Sequence, residues 1–161
     1  MSKIKELLKN EDSILVFDVD GVLATMEWGT YNHFALKDDD WTKACEDGIN
    51  NYTEDKVSKK MQMFLNARDK SKVYVITTAG GKNEDGFKRE FVNKYYGIYK
   101  ENVYCVREDS QKLCKLECIK EKYKEIEDYK IVMTEDSVKI LNDIMDKSNF
   151  STVHISSFLD I

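Results

Sequence analysis

The string Phe17-Asp18-Val19-Asp20-Gly21-Val22-Leu23 carries two carboxylates two residues apart, directly after the apolar run Ile14-Leu15-Val16-Phe17. A continuous run of branched and aromatic residues reads as a strand buried on both faces, as in parallel sheets. The C-terminal ends of such strands are where open α/β sheets place their ligands. A pair of Asp residues there concentrates negative charge and suits a hard cation with oxygen ligands, such as Mg²⁺. One carboxylate can attack phosphorus while the other serves as general acid and base.

Further elements must bring other groups to the same edge. Ile4, Leu7 and Leu8 mark a short helix near 2–9, and the first strand falls at about 13–18. Residues 24–54 read as irregular, with Asp38-Asp39-Asp40 as a solvated loop, and Val57, Met61, Phe64 and Leu65 give a helical spacing over 55–70. Val73-Tyr74-Val75-Ile76 is a second strand, ending in Thr77-Thr78-Ala79-Gly80-Gly81. A helix over 84–96 stops at Gly97. A third strand at Val103–Val106 leads to a helix over 110–124. Tyr129–Met133 is a fourth strand that opens into Thr134-Glu135-Asp136-Ser137, followed by a helix over 137–147 and a last strand at 152–155. Alternating strands and helices imply βαβ units with right-handed crossovers. The expected fold is a Rossmann-like doubly wound parallel sheet, a three-layer α/β/α domain spanning 1–161. No GxGxxG follows the first strand, so a dinucleotide is not indicated.

That topology would gather Asp18, Asp20, Thr77, Glu135, Asp136, Lys112 and Lys115 along one sheet edge. Acids there can hold a divalent cation, and a hydroxyl with an ammonium can hold a phosphate. One acid is left for proton transfer.

The chain resembles the haloacid dehalogenase (HAD) superfamily of phosphatases and phosphotransferases. Phe17-Asp18-Val19-Asp20-Gly21-Val22 is similar to that family's first motif, and Val73-Tyr74-Val75-Ile76-Thr77 to its second. A Lys near a helix start corresponds to the third motif. Ile131-Val132-Met133-Thr134-Glu135-Asp136-Ser137 corresponds to the fourth. The resemblance implies that Asp18 is the nucleophile of an aspartyl-phosphate pathway. It implies that Asp20 exchanges protons and offers its backbone carbonyl to Mg²⁺. Thr77 would contact the phosphoryl oxygens, and Asp136, with Glu135 close by, would complete the metal shell. Lys115, which opens Lys-Leu-Glu-Cys-Ile, is the preferred phosphate-binding lysine, with Lys112 a turn earlier as the alternative. Thr78, Gly80, Trp28 and His33 are the substrate-binding candidates. Two departures concern the metal shell: Glu135 stands where Gly is frequent, and Lys139 and Ile140 stand where a further Asp is usual. In the family a cap is inserted after the first strand; here the insertion at 24–54 is short. It is either a hydrophobic flap or a substrate-facing lid.

Composition sets the outer bounds. The 161 residues carry a net charge of −5, with 42% hydrophobic and 34% charged residues. This describes a soluble globular domain, and the acidic balance argues against a nucleic-acid partner. No apolar stretch approaches the roughly 18 residues of a membrane span, and the N-terminal segment lacks a signal-peptide pattern, so a cytoplasmic location is expected. Cys45, Cys105, Cys114 and Cys118 form no tight pair and read as reduced, partly buried thiols. His154 reads as a core or edge residue. The expected activity is Mg²⁺-dependent hydrolysis of a phosphomonoester. The substrate is either a small one (nucleotide or sugar phosphate) or a phosphorylated macromolecule end. The alternatives are a silent metal- or partner-binding module and a phosphotransferase. An open site would also suit closure by a second copy of the chain.

Overall fold

The computed structural model describes residues 3–25 and 38–159. Five strands form one all-parallel sheet in the order β3-β2-β1-β4-β5. They are β1 (Ile14–Phe17), β2 (Val73–Thr78), β3 (Val103–Val106), β4 (Ile131–Glu135) and β5 (Ser151–His154). The helices are α1 (Lys3–Lys9), α2 (Asp38–Glu46), α3 (Lys59–Asn66), α4 (Lys82–Tyr96), α5 (Lys112–Lys122) and α6 (Val138–Lys147).

The three layers follow from strand alternation. On β1, Leu15 and Phe17 enter one core with Leu8, Met61, Leu65, Phe91 and Val92 from α1, α3 and α4. Ile14 and Val16 enter the other with Leu116, Ile119, Ile140 and Ile144 from α5 and α6. Burial on both faces is why the inner strands read as apolar runs, while the edge strands β3 and β5 are partly exposed. Gly97 ends α4 in the left-handed region at φ 67°, where its N–H donates to Asn93 O and that of Ile98 to Val92 O.

β1 pairs with β2 on one side and β4 on the other, so the chain reverses its direction of travel across the sheet at β1. The register sets Phe17 level with both Val75 and Thr134. The C-terminal ends of β1, β2 and β4 therefore open on one crevice, the position at which doubly wound sheets bind ligands.

Some element boundaries differ from the sequence expectation. The fourth strand begins at Ile131 rather than Tyr129, because Asp128–Lys130 form a 3₁₀ turn; Thr134 and Glu135 lie inside the strand. Asp38-Asp39-Asp40 are the first turn of α2 rather than a loop, so the segment expected to be irregular contains a helix. The four cysteines are free; Cys45 is buried, but Cys114 and Cys118 are exposed rather than partly buried, on the solvent side of α5. Among the described residues, no helix is long and apolar enough to cross a membrane.

Candidate active site

After β1 the backbone continues the ladder by one bond, Asp18 N–H to Thr134 O at 3.0 Å. It then turns sharply: the N–H groups of Val22, Leu23 and Ala24 all donate to Val19 O. This turn brings Asp18 and Asp20 to the crevice. Gly21 takes φ 74°, open to glycine and strained for other residues. A Cβ there would fall 2.1 Å from Asp136 Oδ2, so the loop after β4 lies directly over the Asp-x-Asp-Gly turn. Gly21→Ala is expected to lower stability by about 1–3 kcal/mol, from left-handed strain plus the clash. It should also displace Asp136; urea denaturation and a Mg²⁺ titration of the variant measure the two effects.

Asp18 is almost fully buried. Its Oδ2 lies 3.2 Å from Lys112 Nζ, while its Oδ1 has no hydrogen-bond partner. Burial pushes the Asp18 carboxyl above its ordinary value, with Lys112 opposing and Glu135 reinforcing the shift. Carboxylate oxygens of Asp18, Glu135 and Asp136 lie within 4.8 Å of one another. Glu135 is already committed on both sides. Its Oε2 accepts from Lys112 Nζ at 2.7 Å, and its Oε1 accepts from the N–H groups of Asp136 and Ser137 at 3.0 and 3.2 Å. Its carboxyl is raised by burial, with Lys112 opposing.

His154 at the end of β5 fixes the same loop. Its Nδ1 accepts from Ser156 N–H at 3.2 Å, which leaves Nε2 to donate to Asp136 O at 3.0 Å. It is a partly buried edge residue with a positioning contact.

The lysine at this centre is Lys112, not Lys115. Lys112 is the first residue of α5 and is 1% exposed. Gln111 Oε1 accepts from the N–H groups of Arg107 and Glu108, folding the turn that aims the helix start at β1 and β4. Lys115 lies three residues on, about 4.5 Å further along the axis and about 60° around it. Its ammonium sits over the Tyr104 ring at 5.9 Å.

Thr77 is fully enclosed, its hydroxyl beside Asp18 and accepting from Lys88 Nζ at 3.2 Å. Thr78 turns to Asp109, donating to its Oδ1 at 2.6 Å. Gly80 is held by structure rather than open to a ligand. Its N–H donates to Glu84 Oε2 at 2.7 Å, and a Cβ there would meet Thr42 Oγ1. Trp28 and His33 lie outside the described residues.

Sequence reasoning missed a second buried cluster beside the first. Lys88 on α4 is completely buried. Its Nζ lies 2.6 Å from Asp20 Oδ2 and 3.1 Å from Glu84 Oε1, and it also donates to Thr78 O. The Tyr52 hydroxyl, with one hydrogen to give, lies 3.0 Å from both Asp20 Oδ1 and Glu84 Oε1, and Trp41 Nε1 donates to Glu84 Oε1 at 3.1 Å. Trp41 and Tyr52 come from the described end of the 24–54 insertion, which packs on α4; Asn83 ties the two by donating to Cys45 O and Glu46 O. Burial opposes the charge on Lys88, but Asp20 and Glu84 more than restore it, so its pKa stands above the ordinary lysine value. Burial raises the Asp20 carboxyl, against the pull of Lys88. One signal was available: Glu84 and Lys88 are four residues apart on a helix directly after Thr77, the spacing at which side chains meet.

No protein-family model matches the chain, and no curated protein matches it. A solved structure described as DsGPDH of Dunaliella salina is similar in fold, with a TM-score of 0.59 and 16% identity. The likeness covers 94% of this chain and 25% of that one, so the chain spans a quarter of the length of that protein.

Proposed function

We propose that this chain is a Mg²⁺-dependent phosphomonoester hydrolase of the HAD type, working through an aspartyl-phosphate. The observation that carries this reading is Asp18: a buried carboxylate with one oxygen against Lys112 and the other unpartnered, in the sheet crevice. A buried charged oxygen without a partner is costly, and a bound cation is a chemically apt way to satisfy it. The donor set is all oxygen, which suits Mg²⁺. Asp18 and Asp136 would hold the ion, with Glu135 behind them. Bound there, it would neutralise charge on the phosphoryl oxygens.

The chain's own groups divide the remaining work. Asp18 attacks phosphorus, forming the aspartyl P–O bond as the ester P–O bond breaks. Asp20 gives the leaving oxygen its proton. Asp20 then takes a proton from water, whose oxygen attacks phosphorus and releases Asp18 and inorganic phosphate. Lys112 offsets the charge of Asp18 and of the transferring group. Tyr52 contacts Asp20 and packs edge-on against Trp41, so aromatic surface flanks the proton-transfer group.

The test is hydrolysis of 4-nitrophenyl phosphate with Mg²⁺ and with EDTA, alongside thermal unfolding. Turnover that requires Mg²⁺, with a Tm that rises with Mg²⁺, is expected. No turnover across a panel of phosphomonoesters, with a Tm indifferent to Mg²⁺, would overturn the reading.

A further inference from the structure

We propose that Lys88, with Tyr52 and Glu84, is a positioning device for the Asp20 carboxylate, so that the short insertion after β1 and α4 together aim the proton-transfer group. This rests on the phosphomonoesterase reading of the site.

The site contains two similar arrangements side by side. Lys112 bridges Asp18 and Glu135; Lys88 bridges Asp20 and Glu84. The first arrangement faces the reacting phosphorus in the proposed chemistry. The second cannot. Lys88 is completely buried, and its ammonium is surrounded by Asp20, Glu84, Thr77 Oγ1 and Thr78 O. An ammonium has three N–H donors, and these acceptors account for all of them. Lys88 therefore has no donor left for a phosphate.

What Lys88 does hold is one oxygen of Asp20, while Tyr52 holds the other. A carboxylate fixed at both oxygens by groups from two different elements cannot rotate freely. Asp20 is nevertheless about one-third exposed at its side chain, so the crevice can reach it. Glu84 completes the device. Its Oε1 meets Lys88, Tyr52 and Trp41, and its Oε2 accepts from Gly80 N–H. Glu84 thereby locks the end of β2, the start of α4 and the insertion into one unit. Tyr52 also packs edge-on against Trp41 and at a tilt against Phe91, which leaves its hydroxyl little freedom. Proton transfer depends steeply on geometry. A group that fixes Asp20 should act on its proton transfers and not on the attack of Asp18 on phosphorus, and kcat/KM reads the first of those transfers.

The experiment compares leaving groups. With phenyl phosphate the departing oxygen needs a proton, and with 2,4-dinitrophenyl phosphate it does not. Lys88→Met is expected to lower kcat/KM for phenyl phosphate by about 10²-fold while changing that for the dinitrophenyl ester by less than about threefold. Tyr52→Phe keeps the ring packing and should give the same asymmetry, smaller; it serves if Lys88→Met folds poorly. An equal loss on both esters in both variants would overturn the proposal. A second readout needs no activity. In urea, the midpoint shift caused by Asp20→Asn should be smaller in the Lys88→Met background than in the wild type, because the pair is coupled. Additive shifts would overturn the proposal. If the wild-type chain hydrolyses neither ester, the panel of phosphomonoesters and the Mg²⁺ dependence of Tm decide the phosphomonoesterase reading, and the urea cycle separately decides whether Lys88 holds Asp20.

Discussion

Asp18→Asn is expected to reduce Mg²⁺-dependent phosphomonoester turnover by more than about 10³-fold, because the amide cannot form the aspartyl-phosphate. The same substitution should erase the rise of Tm with Mg²⁺, since it removes the carboxylate charge that would draw the ion. It should also change the pH dependence of the metal-free chain. The Asp18 carboxyl is raised above its reference of 3.8 by burial. In that window the folded chain holds a proton that the unfolded chain has released, so stability falls as pH rises through it. Lys88 and Lys112 are raised above 10.5, and their contribution is fully present below that value, so they add no slope from acid to neutral pH. Urea midpoints measured upward from pH 4 in EDTA should therefore lose more, or gain less, with rising pH in the wild type than in Asp18→Asn. Parallel curves would remove Asp18 as the strained group.

Lys112→Met is the second large effect. It leaves Asp18 and Glu135 together in a buried site without their shared cation. Breaking a buried pair in this way costs about 3–5 kcal/mol. Turnover should fall by about 10²–10³-fold, the scale of losing one electrostatic stabiliser. Lys115→Met, whose ammonium lies over an aromatic ring on the helix flank, should stay within about 0.5 kcal/mol of wild type and leave turnover nearly unchanged. The pair of variants is informative together. A large loss in Lys115→Met with little in Lys112→Met would reverse the assignment. If Lys112→Met alone does not fold, Lys112→Met with Glu135→Gln relieves the unpaired charge and keeps the comparison open.

The confusion between these two lysines has a simple origin. Both occur within one turn of a helix rich in Lys, and local spacing sets them on similar faces. What separates them is where the helix begins. The 3₁₀ turn at Asp109–Gln111 puts Lys112 at the first helical position, next to the strand ends, and carries Lys115 past them. A start position is a tertiary fact when no Pro or strong cap marks it. The fourth strand shows the same limit. Its apolar core was legible, but the turn at Asp128–Lys130 moved its start by two residues and placed Glu135 inside the strand, aimed at Lys112.

By itself, the sequence determined the parallel α/β architecture, because strands buried on both faces must be apolar at every position and helices between them must show a 3.6-residue period. It also determined that Asp18, Asp20, Glu135 and Asp136 would share an edge, since all parallel strands end on the same side. Tertiary structure alone decided which cations meet those acids. Lys88 and Glu84 come from the middle of α4, and Tyr52 and Trp41 from the insertion; their meeting with Asp20 depends on how α2 and its following segment pack against α4. No local period encodes that contact. A buried charge is fixed by desolvation and by its partners, and those partners are known only once the chain has closed around them.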